Sequence, residues 1–157
     1  MRVHEVMNTE PVTVSPRSSV AEAREAAEAV GARHALVIER STVMGVLEED
    51  RLWLSAEDVL RTAAGLQDAL TDRDHQPARA AMRSAQPSVT RSDSVQTAAR
   101  LMVLKGRVAI PVIDQGHLQG MLSVDECRRA LGTPVQPVPS EERDEHEDGA
   151  ASDDAVA

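Results

Sequence analysis

The sequence contains two similar halves, and this internal repeat restricts the possible folds more than any other feature of the chain. When the 157-residue sequence is shifted by 75 positions, so that Met7 meets Met82, the halves align without a gap. The other identical pairs are Val14–Val89, Ser19–Ser94, Val20–Val95, Ala23–Ala98, Gly31–Gly106, Val37–Val112, Ile38–Ile113, Gly45–Gly120, Leu47–Leu122 and Asp50–Asp125. This agreement predicts two copies of one structural unit.

Each half predicts the same order of elements, β-α-β-β-α. Ser19, followed three residues later by Glu22, has the pattern of a capping box at the start of the first helix. Gly31 and Gly106 follow the first helix of each half, where a left-handed C-cap favours glycine. The strands are expected near 12–14, 35–39 and 45–47 in the first half and near 88–90, 110–114 and 120–122 in the second, with second helices near 49–54 and 124–131. A single unit of about 55–60 residues buries too little surface to be stable alone. We therefore expect one α+β body in which the repeats pack with pseudo-twofold symmetry.

The predicted organisation has four segments. These are a first repeat (1–54), a helical connector (55–76), a second repeat (77–132) and an acidic tail (133–157). The connector predicts a helix that ends near Gly65. The last 18 residues contain eight acidic residues and one arginine, so they carry −7 of the formal net charge of −9. Because the tail is acidic and has few apolar residues, it is predicted to be disordered.

The composition argues against several classes of function. The body of the chain is nearly neutral, and Trp53 is the only aromatic residue, so a nucleic-acid partner is not expected. Cys127 is the only cysteine, and the five histidines are scattered, so no metal site is predicted. There is no long apolar run and no secretory signal, which favours a cytoplasmic location without a membrane contact. No phosphate loop or nucleophile elbow occurs, so an enzyme is not expected.

The ordered residues of both halves resemble the CBS domain pair, also called a Bateman module, over about residues 3–131. The matching residues are Val6-Met7, Pro11–Val14, Ser19-Val20, Ala23, Gly31–His34 and Gly45–Leu47, and then Ala81-Met82, Pro87–Val89, Ser94-Val95, Gly106, Ile110–Asp114 and Gly120–Ser123. The resemblance implies tandem β-α-β-β-α repeats and a regulatory role. It also implies a homodimer, an effector protein and an adenosyl ligand between the repeats: AMP, ADP, ATP, S-adenosylmethionine or NAD. No other cofactor is implied.

The ligand signature of that family is a glycine, two apolar residues, a Ser or Thr, two further residues and an Asp. In the second repeat Ser123 matches the hydroxyl position, Glu126 takes the acid position and Asp125 is adjacent. The resemblance therefore implies one site, in which the hydroxyl lies near a phosphate and the carboxylate accepts hydrogen bonds from a ribose. The residues expected on the opposite wall are Thr13, Ala32 and Arg33, with Val108 nearby.

The first repeat departs from this signature, because Glu48 replaces the hydroxyl and Arg51 replaces the acid. A carboxylate repels a phosphate, so this cleft is expected to be empty or to take a different ligand. Ser123 also fits a structural role as an N-cap, and Glu126 fits one as a first-turn acid. Arg33 and His34 could line the cleft or form a solvated pair in the loop after the helix. Two functions therefore stay open. One is a ligand sensor that modulates a partner protein, and the alternative is a ligand-independent dimerisation or scaffolding module with degenerate clefts.

Overall fold

The computed structural model describes residues 1–65, 73–84 and 87–132, and both halves contain the predicted elements. The first half consists of α1 (Val3–Val6), β1 (Thr13–Val14), α2 (Val20–Ala29), β2 (Ala35–Glu39), β3 (Thr42–Leu47) and α3 (Glu49–Leu52), followed by α4 (Ala56–Ala63) in the connector. The second half consists of α5 (Ala78–Ala81), β4 (Arg83–Ser84), α6 (Val95–Lys105), β5 (Ala109–Asp114), β6 (His117–Ser123) and α7 (Val124–Leu131). The predicted disordered tail lies outside the described residues.

The central hairpins of the two halves have the same register. Strands β2 and β3 pair antiparallel with Ala35 opposite Leu47, and β5 and β6 pair with Ile110 opposite Leu122, exactly 75 positions later. Each hairpin has a register shift at the equivalent position. The first strand of each half is also equivalent, since β1 pairs parallel with β2 and Val89 forms a parallel bridge to β5. The tandem α+β fold predicted from the sequence repeat is thereby confirmed.

The first helix of each half begins at the predicted serine and ends before the predicted glycine, although of the two bonds of the Ser19–Glu22 capping box the structure has only the one to the Ser19 side chain. Ser19 accepts a hydrogen bond from the backbone N–H of Glu22 at 3.1 Å, and the chain turns at Gly31 with φ +67°. Ser94 caps α6 in the same way, and Gly106 ends it with φ +61°. Among the described residues, no helix is both long and apolar enough to cross a lipid bilayer.

The segment that precedes each repeat pairs with the sheet of the other repeat. Asn8 forms an antiparallel bridge to Met121 on β6, and β4 pairs antiparallel with β3, where Arg83 lies opposite Val46. These two contacts are equivalent under the 75-residue offset. The chain therefore crosses from one repeat to the other at two places. The pattern of apolar residues in the sequence did not predict these crossings.

Each hydrophobic core also contains residues from both halves of the chain. The first-repeat core consists of Val20, Ala23, Ala27, Ala35, Val37, Leu47 and Leu52, together with Ala78 and Ala81 from α5. The second-repeat core consists of Val89, Val95, Ala98, Met102, Ile110, Val112, Leu122 and Cys127, together with Val3 from α1. A third cluster, made of Leu36, Val46, Ala109 and Met121, joins the two hairpins. Each short helix thus completes the core of the other half, and the repeats share buried surface as expected.

Two of the repeated glycines lie where the crossing segments pass. A Cβ atom on Gly120 would collide with the backbone carbonyl oxygen of Asn8, and one on Gly45 would collide with that of Arg83. The obstacle is main chain in both cases, so it cannot rotate away like a side chain. The crossing segments can therefore pass this close to the hairpins only because these two positions have no side chain.

We predict that Gly120→Ala lowers the free energy of unfolding by about 1–3 kcal/mol, because the added methyl group forces the Asn8 segment away from β6. Chemical denaturation followed by circular dichroism measures the change. Gln119→Ala, at the neighbouring partly exposed position of the same strand, serves as the control. Equal effects of the two substitutions would contradict the role of the crossing.

Candidate ligand-binding clefts

Two cavities lie at equivalent places, next to the start of the last helix of each repeat. The Ser123 cleft has a volume of about 390 Å³, and the Glu48 cleft has a volume of about 420 Å³. The Ser123 cleft is lined by Asn8, Glu10, Val30, Gly31, Ala32, Arg33, His34, Met121, Ser123, Asp125, Glu126 and Arg129. The Glu48 cleft is lined by Glu48, Glu49, Asp50, Trp53, Leu54, Ser55 and Val108. Both volumes fall in the range of small-molecule sites.

Three parts of the chain form the walls of the Ser123 cleft. The start of α7 supplies Ser123, Asp125 and Glu126, and the loop after α2 supplies residues 31–34 from the other repeat. The crossing segment adds Asn8, whose position is fixed by its bridge to β6. Because both repeats contribute, the size of this cleft depends on how the repeats are placed relative to each other.

The structure brings together five of the seven residues that the resemblance implied for the site: Ala32, Arg33, Ser123, Asp125 and Glu126. Val108 lies in the other cleft, because it is the second-repeat equivalent of Arg33 and so lines the first-repeat cavity. Thr13 is exposed on β1, where it pairs with Leu36, and it does not line the Ser123 cleft. The expected positions of Val108 and Thr13 are therefore corrected.

Ser123 and Glu126 bind each other at the start of α7. One oxygen of the Glu126 carboxylate accepts hydrogen bonds from the backbone N–H of Ser123 at 2.8 Å and from its hydroxyl. The Ser123 residue is only 4% exposed. Its hydroxyl is thus engaged in the helix start, as the structural alternative expected, and the second Glu126 oxygen carries the acceptor capacity that is left for a ligand.

The acids of the Ser123 cleft have arginine partners at long distance. Arg33 lies 3.6 Å from Asp125, and Arg129 lies 3.8 Å from Glu126. The Arg33 side chain is 59% exposed. Exposed ion pairs of this kind contribute about 0–1 kcal/mol, so Arg33 can exchange Asp125 for an anionic ligand at little cost.

His34 lies next to Arg33 in the loop after α2 and lines the cleft, which is one of the two places that the sequence left open for it. It is only 7% exposed, it lines the Ser123 cleft, and its Nδ1 has no hydrogen-bond partner in the structure. Burial lowers the pKa of His34 below its ordinary value, against the opposing effects of Glu49, Asp125 and Glu126. Burial therefore favours the neutral form of the ring. The sequence did not predict three other residues of the cleft, Asn8, Glu10 and Arg129. For Asn8, the only indication was that the equivalent position of the second half is Arg83.

The Glu48 cleft has a different chemistry, because a carboxylate replaces the serine hydroxyl. Glu48 is 4% exposed, one of its oxygens lies 3.4 Å from Arg83, and the other has no hydrogen-bond partner in the structure. The Arg83 guanidinium also donates to the carbonyl of Gly106 at 2.7 Å. Burial raises the pKa of Glu48, and Arg83 opposes this effect. Within the described ranges, no three His, Cys, Asp or Glu side chains are grouped as a metal ion would require.

We predict that Glu48→Gln increases the free energy of unfolding by about 1 kcal/mol above neutral pH. The folded state raises the pKa of Glu48, so wild-type stability falls as the pH rises through that pKa and Glu48 ionises in a buried site. The difference between variant and wild type should shrink as the pH falls towards the ordinary pKa of a glutamate. Denaturation curves recorded from pH 4 to 8 measure it.

The control for this prediction is Glu39→Gln, which removes an exposed carboxylate from the end of β2. It should leave the pH dependence of stability unchanged. A difference between Glu48→Gln and wild type that stays constant with pH would show that the ionisation of Glu48 is not its cause.

The chain belongs to the CBS domain family. The family model for the CBS domain matches residues 3–52 and 78–133, which correspond to the two repeats and account for more than half of the chain. This match confirms the resemblance to a CBS domain pair. No curated protein matches the chain significantly.

Solved structures of CBS domain proteins share the fold. CBSX2 in complex with AMP is 24% identical with a TM-score of 0.63, and the match covers 83% of this chain and 95% of that one. The CBS domain pair of MJ0100 in complex with 5′-methylthioadenosine and S-adenosylmethionine is 14% identical with a TM-score of 0.66, covering 84% and 96%. The protein ATU1752 from Agrobacterium tumefaciens is 21% identical with a TM-score of 0.67, covering 83% and 99%.

Proposed function

We propose that this protein is a cytoplasmic, non-catalytic regulatory module that binds one adenosyl ligand per chain in the Ser123 cleft and modulates a partner protein. The observation that carries this proposal is a cavity between the repeats whose polar groups have spare binding capacity. Arg33 provides an exposed cation, Glu126 provides a second carboxylate oxygen whose contact is Arg129 at 3.8 Å, and His34 provides a buried ring nitrogen without a partner. The AMP and S-adenosylmethionine complexes of CBSX2 and MJ0100 support the class of ligand.

When the ligand binds, its contacts replace weak ion pairs within the protein. Arg33 leaves Asp125 and pairs with the anionic group of the ligand, a phosphate of a nucleotide or the carboxylate of S-adenosylmethionine. The second oxygen of Glu126 accepts a hydrogen bond from the ribose diol, while its other oxygen keeps the start of α7 in place. Asp125 then has Arg128, at 3.8 Å, as its remaining partner.

The two clefts differ in chemistry, and this difference supports the binding of one ligand per chain. In the Glu48 cleft the carboxylate repels a phosphate, and Arg83 already bridges Glu48 and the Gly106 carbonyl. Arg83 is the equivalent of Asn8 and Glu48 is the equivalent of Ser123, so an ion pair of the chain itself stands where the other repeat has two uncharged side chains. An adenosyl ligand therefore finds compatible groups only in the Ser123 cleft.

The proposed regulation depends on the fact that both repeats form the walls of the Ser123 cleft. A ligand that contacts Arg33 and Glu126 joins the two repeats, so it stabilises the arrangement in which these residues are close. A partner protein, or the second subunit of a homodimer, can detect that arrangement. We include a homodimer in the proposal because a module of this size transmits a signal only through a surface that it shares with another chain.

The alternative function, a ligand-independent scaffold, rests on two specific observations. The Ser123 hydroxyl is already bonded to Glu126, and Glu48 is paired with Arg83. In that case both helix starts are purely structural, and neither cleft responds to nucleotides.

Ligand binding should raise the midpoint of thermal unfolding. We expect at least one of AMP, ADP, ATP, S-adenosylmethionine and NAD to do so, with a stabilisation of about 2.7 kcal/mol at 100 times the dissociation constant. Differential scanning fluorimetry at millimolar ligand measures the shift, and isothermal titration calorimetry then gives the stoichiometry. If none of the five compounds changes the midpoint, the sensor is excluded and the scaffold is supported.

Arg33→Ala should weaken binding of the active compound by roughly tenfold without changing the stability of the free protein, because Arg33 is exposed and makes only one weak ion pair. Arg17→Ala, at another exposed arginine, is the control. An unchanged affinity would place the anionic group elsewhere.

Ser123→Ala tests the helix start. It should lower stability by about 1 kcal/mol, and Ser94→Ala should do the same because Ser94 caps α6 away from the cleft. Only the Ser123 variant should also weaken ligand binding, since Glu126 loses its position. Equal affinities in the two variants would restrict Ser123 to a structural role.

A further inference from the structure

The Glu48 cleft carries more negative charge than the Ser123 cleft. Its lining residues include three consecutive acids, Glu48, Glu49 and Asp50, and no basic residue. The lining of the Ser123 cleft instead combines acids with two arginines, Arg33 and Arg129. Glu49 and Asp50 are exposed, and neither forms an ion pair with another residue in the described part of the chain. Exposed acids are common on protein surfaces, so the informative member of this group is the buried one, Glu48.

The Glu48 carboxylate has an oxygen that lacks a donor. The residue is 4% exposed, and its Oε1 has no hydrogen-bond partner among the described residues. In the second repeat the equivalent serine is bonded to Glu126, whereas the first-repeat equivalent of Glu126 is an exposed Arg51. Arg83 lies 3.4 Å from the other Glu48 oxygen, and the same guanidinium nitrogen donates to the Gly106 carbonyl at 2.7 Å. A buried carboxylate oxygen without a donor is costly, so this cleft gains from a ligand that supplies one.

Apolar and aromatic side chains also line the Glu48 cleft. Trp53 and Leu54 come from the first repeat, and Val108 comes from the second. The Trp53 indole is held by its N–H bond to Glu28 at 3.1 Å, and indole rings attract cations over their faces. The volume of about 420 Å³ lies near the lower end of the range of small-molecule sites, about 300–1,000 Å³, which suits a compact ligand.

We propose that the Glu48 cleft is a second ligand site, which takes a small organic ammonium ion with an apolar body. An ammonium group has N–H donors and no acceptor, so it supplies the donor that Oε1 of Glu48 lacks. Glu49 and Asp50 add to its attraction, and the apolar body packs against Trp53 and Val108. A metal ion fits less well, since no three His, Cys, Asp or Glu side chains within the described residues are grouped to hold one. The proposal concerns the other cleft, so it does not depend on the adenosyl ligand of the proposed function.

The fluorescence of Trp53 tests the chemistry of the ligand, because Trp53 is the only aromatic residue of the chain and lines this cleft. Titration of the full chain with phenethylamine should give a saturable change in emission. Phenethyl alcohol has the same body without the charge, and methylamine has the charge without the body, so each should bind about tenfold more weakly or less. Absence of saturation at millimolar phenethylamine, or equal binding of phenethyl alcohol, would overturn the proposal.

Two variants test the location. Glu48→Gln keeps the size of the side chain and removes its charge, so it should weaken the binding of phenethylamine by about tenfold. Val108→Lys adds a cation to the same cleft at a position that is 40% exposed, and it should weaken binding to a similar extent even if Glu48→Gln is poorly folded. Glu39→Gln, which changes an exposed acid at the end of β2, should leave the affinity unchanged. Unchanged affinity in Val108→Lys and in a folded Glu48→Gln would overturn the site.

Competition distinguishes the other occupants. Neither magnesium chloride nor AMP should displace phenethylamine when added at the same concentration. Displacement by magnesium would identify the ligand as an inorganic cation. Displacement by AMP that persists in Arg33→Ala would make this cleft a nucleotide site. Either result would overturn the proposal, whereas the adenosyl site in the Ser123 cleft is tested separately by the shift in thermal unfolding.

Discussion

The structure depends on the close passage of main chain over Gly45 and Gly120. At each glycine the segment that precedes one repeat lies against the hairpin of the other, at a distance that leaves no room for a Cβ atom. Because of this crossing, Val3 completes the second-repeat core and Ala78 completes the first-repeat core. The two halves are therefore joined by backbone pairing as well as by the apolar cluster between the hairpins, and neither core is complete without the other half.

This crossing also creates the clefts. It brings Asn8 to the start of α7, where Asn8 lines the Ser123 cleft, and it brings Arg83 to the start of α3, where Arg83 contacts Glu48. The backbone is the same in both places, and only the side chains differ. Ser123 with Asn8 leaves one cavity open to a ligand, whereas Glu48 with Arg83 forms an internal ion pair in the other. The two copies of one structural unit therefore have clefts of different chemistry.

The same divergence is present on the outer helices. Val103 and Leu104 leave an apolar surface on the second repeat, while Glu28 and Arg24 give the first repeat a polar one with partners inside the chain. The second repeat thus carries both the open cleft and the apolar surface. The two features meet on α7, which contributes Glu126 to the cleft and Leu131 to the apolar surface.

The repeat, its β-α-β-β-α order and the helix ends at Ser19 and Gly106 could be predicted from the sequence, because they depend on local preference and on self-similarity. Five of the site residues could also be predicted, because the resemblance to the CBS domain pair implied them. The tertiary structure alone decided which half each segment joins. It placed Val108 in the opposite cleft, left Thr13 outside, and brought Asn8 into the site. The reason is physical: contacts between residues far apart in the chain are set by packing of the whole body, and no short pattern of residues encodes them.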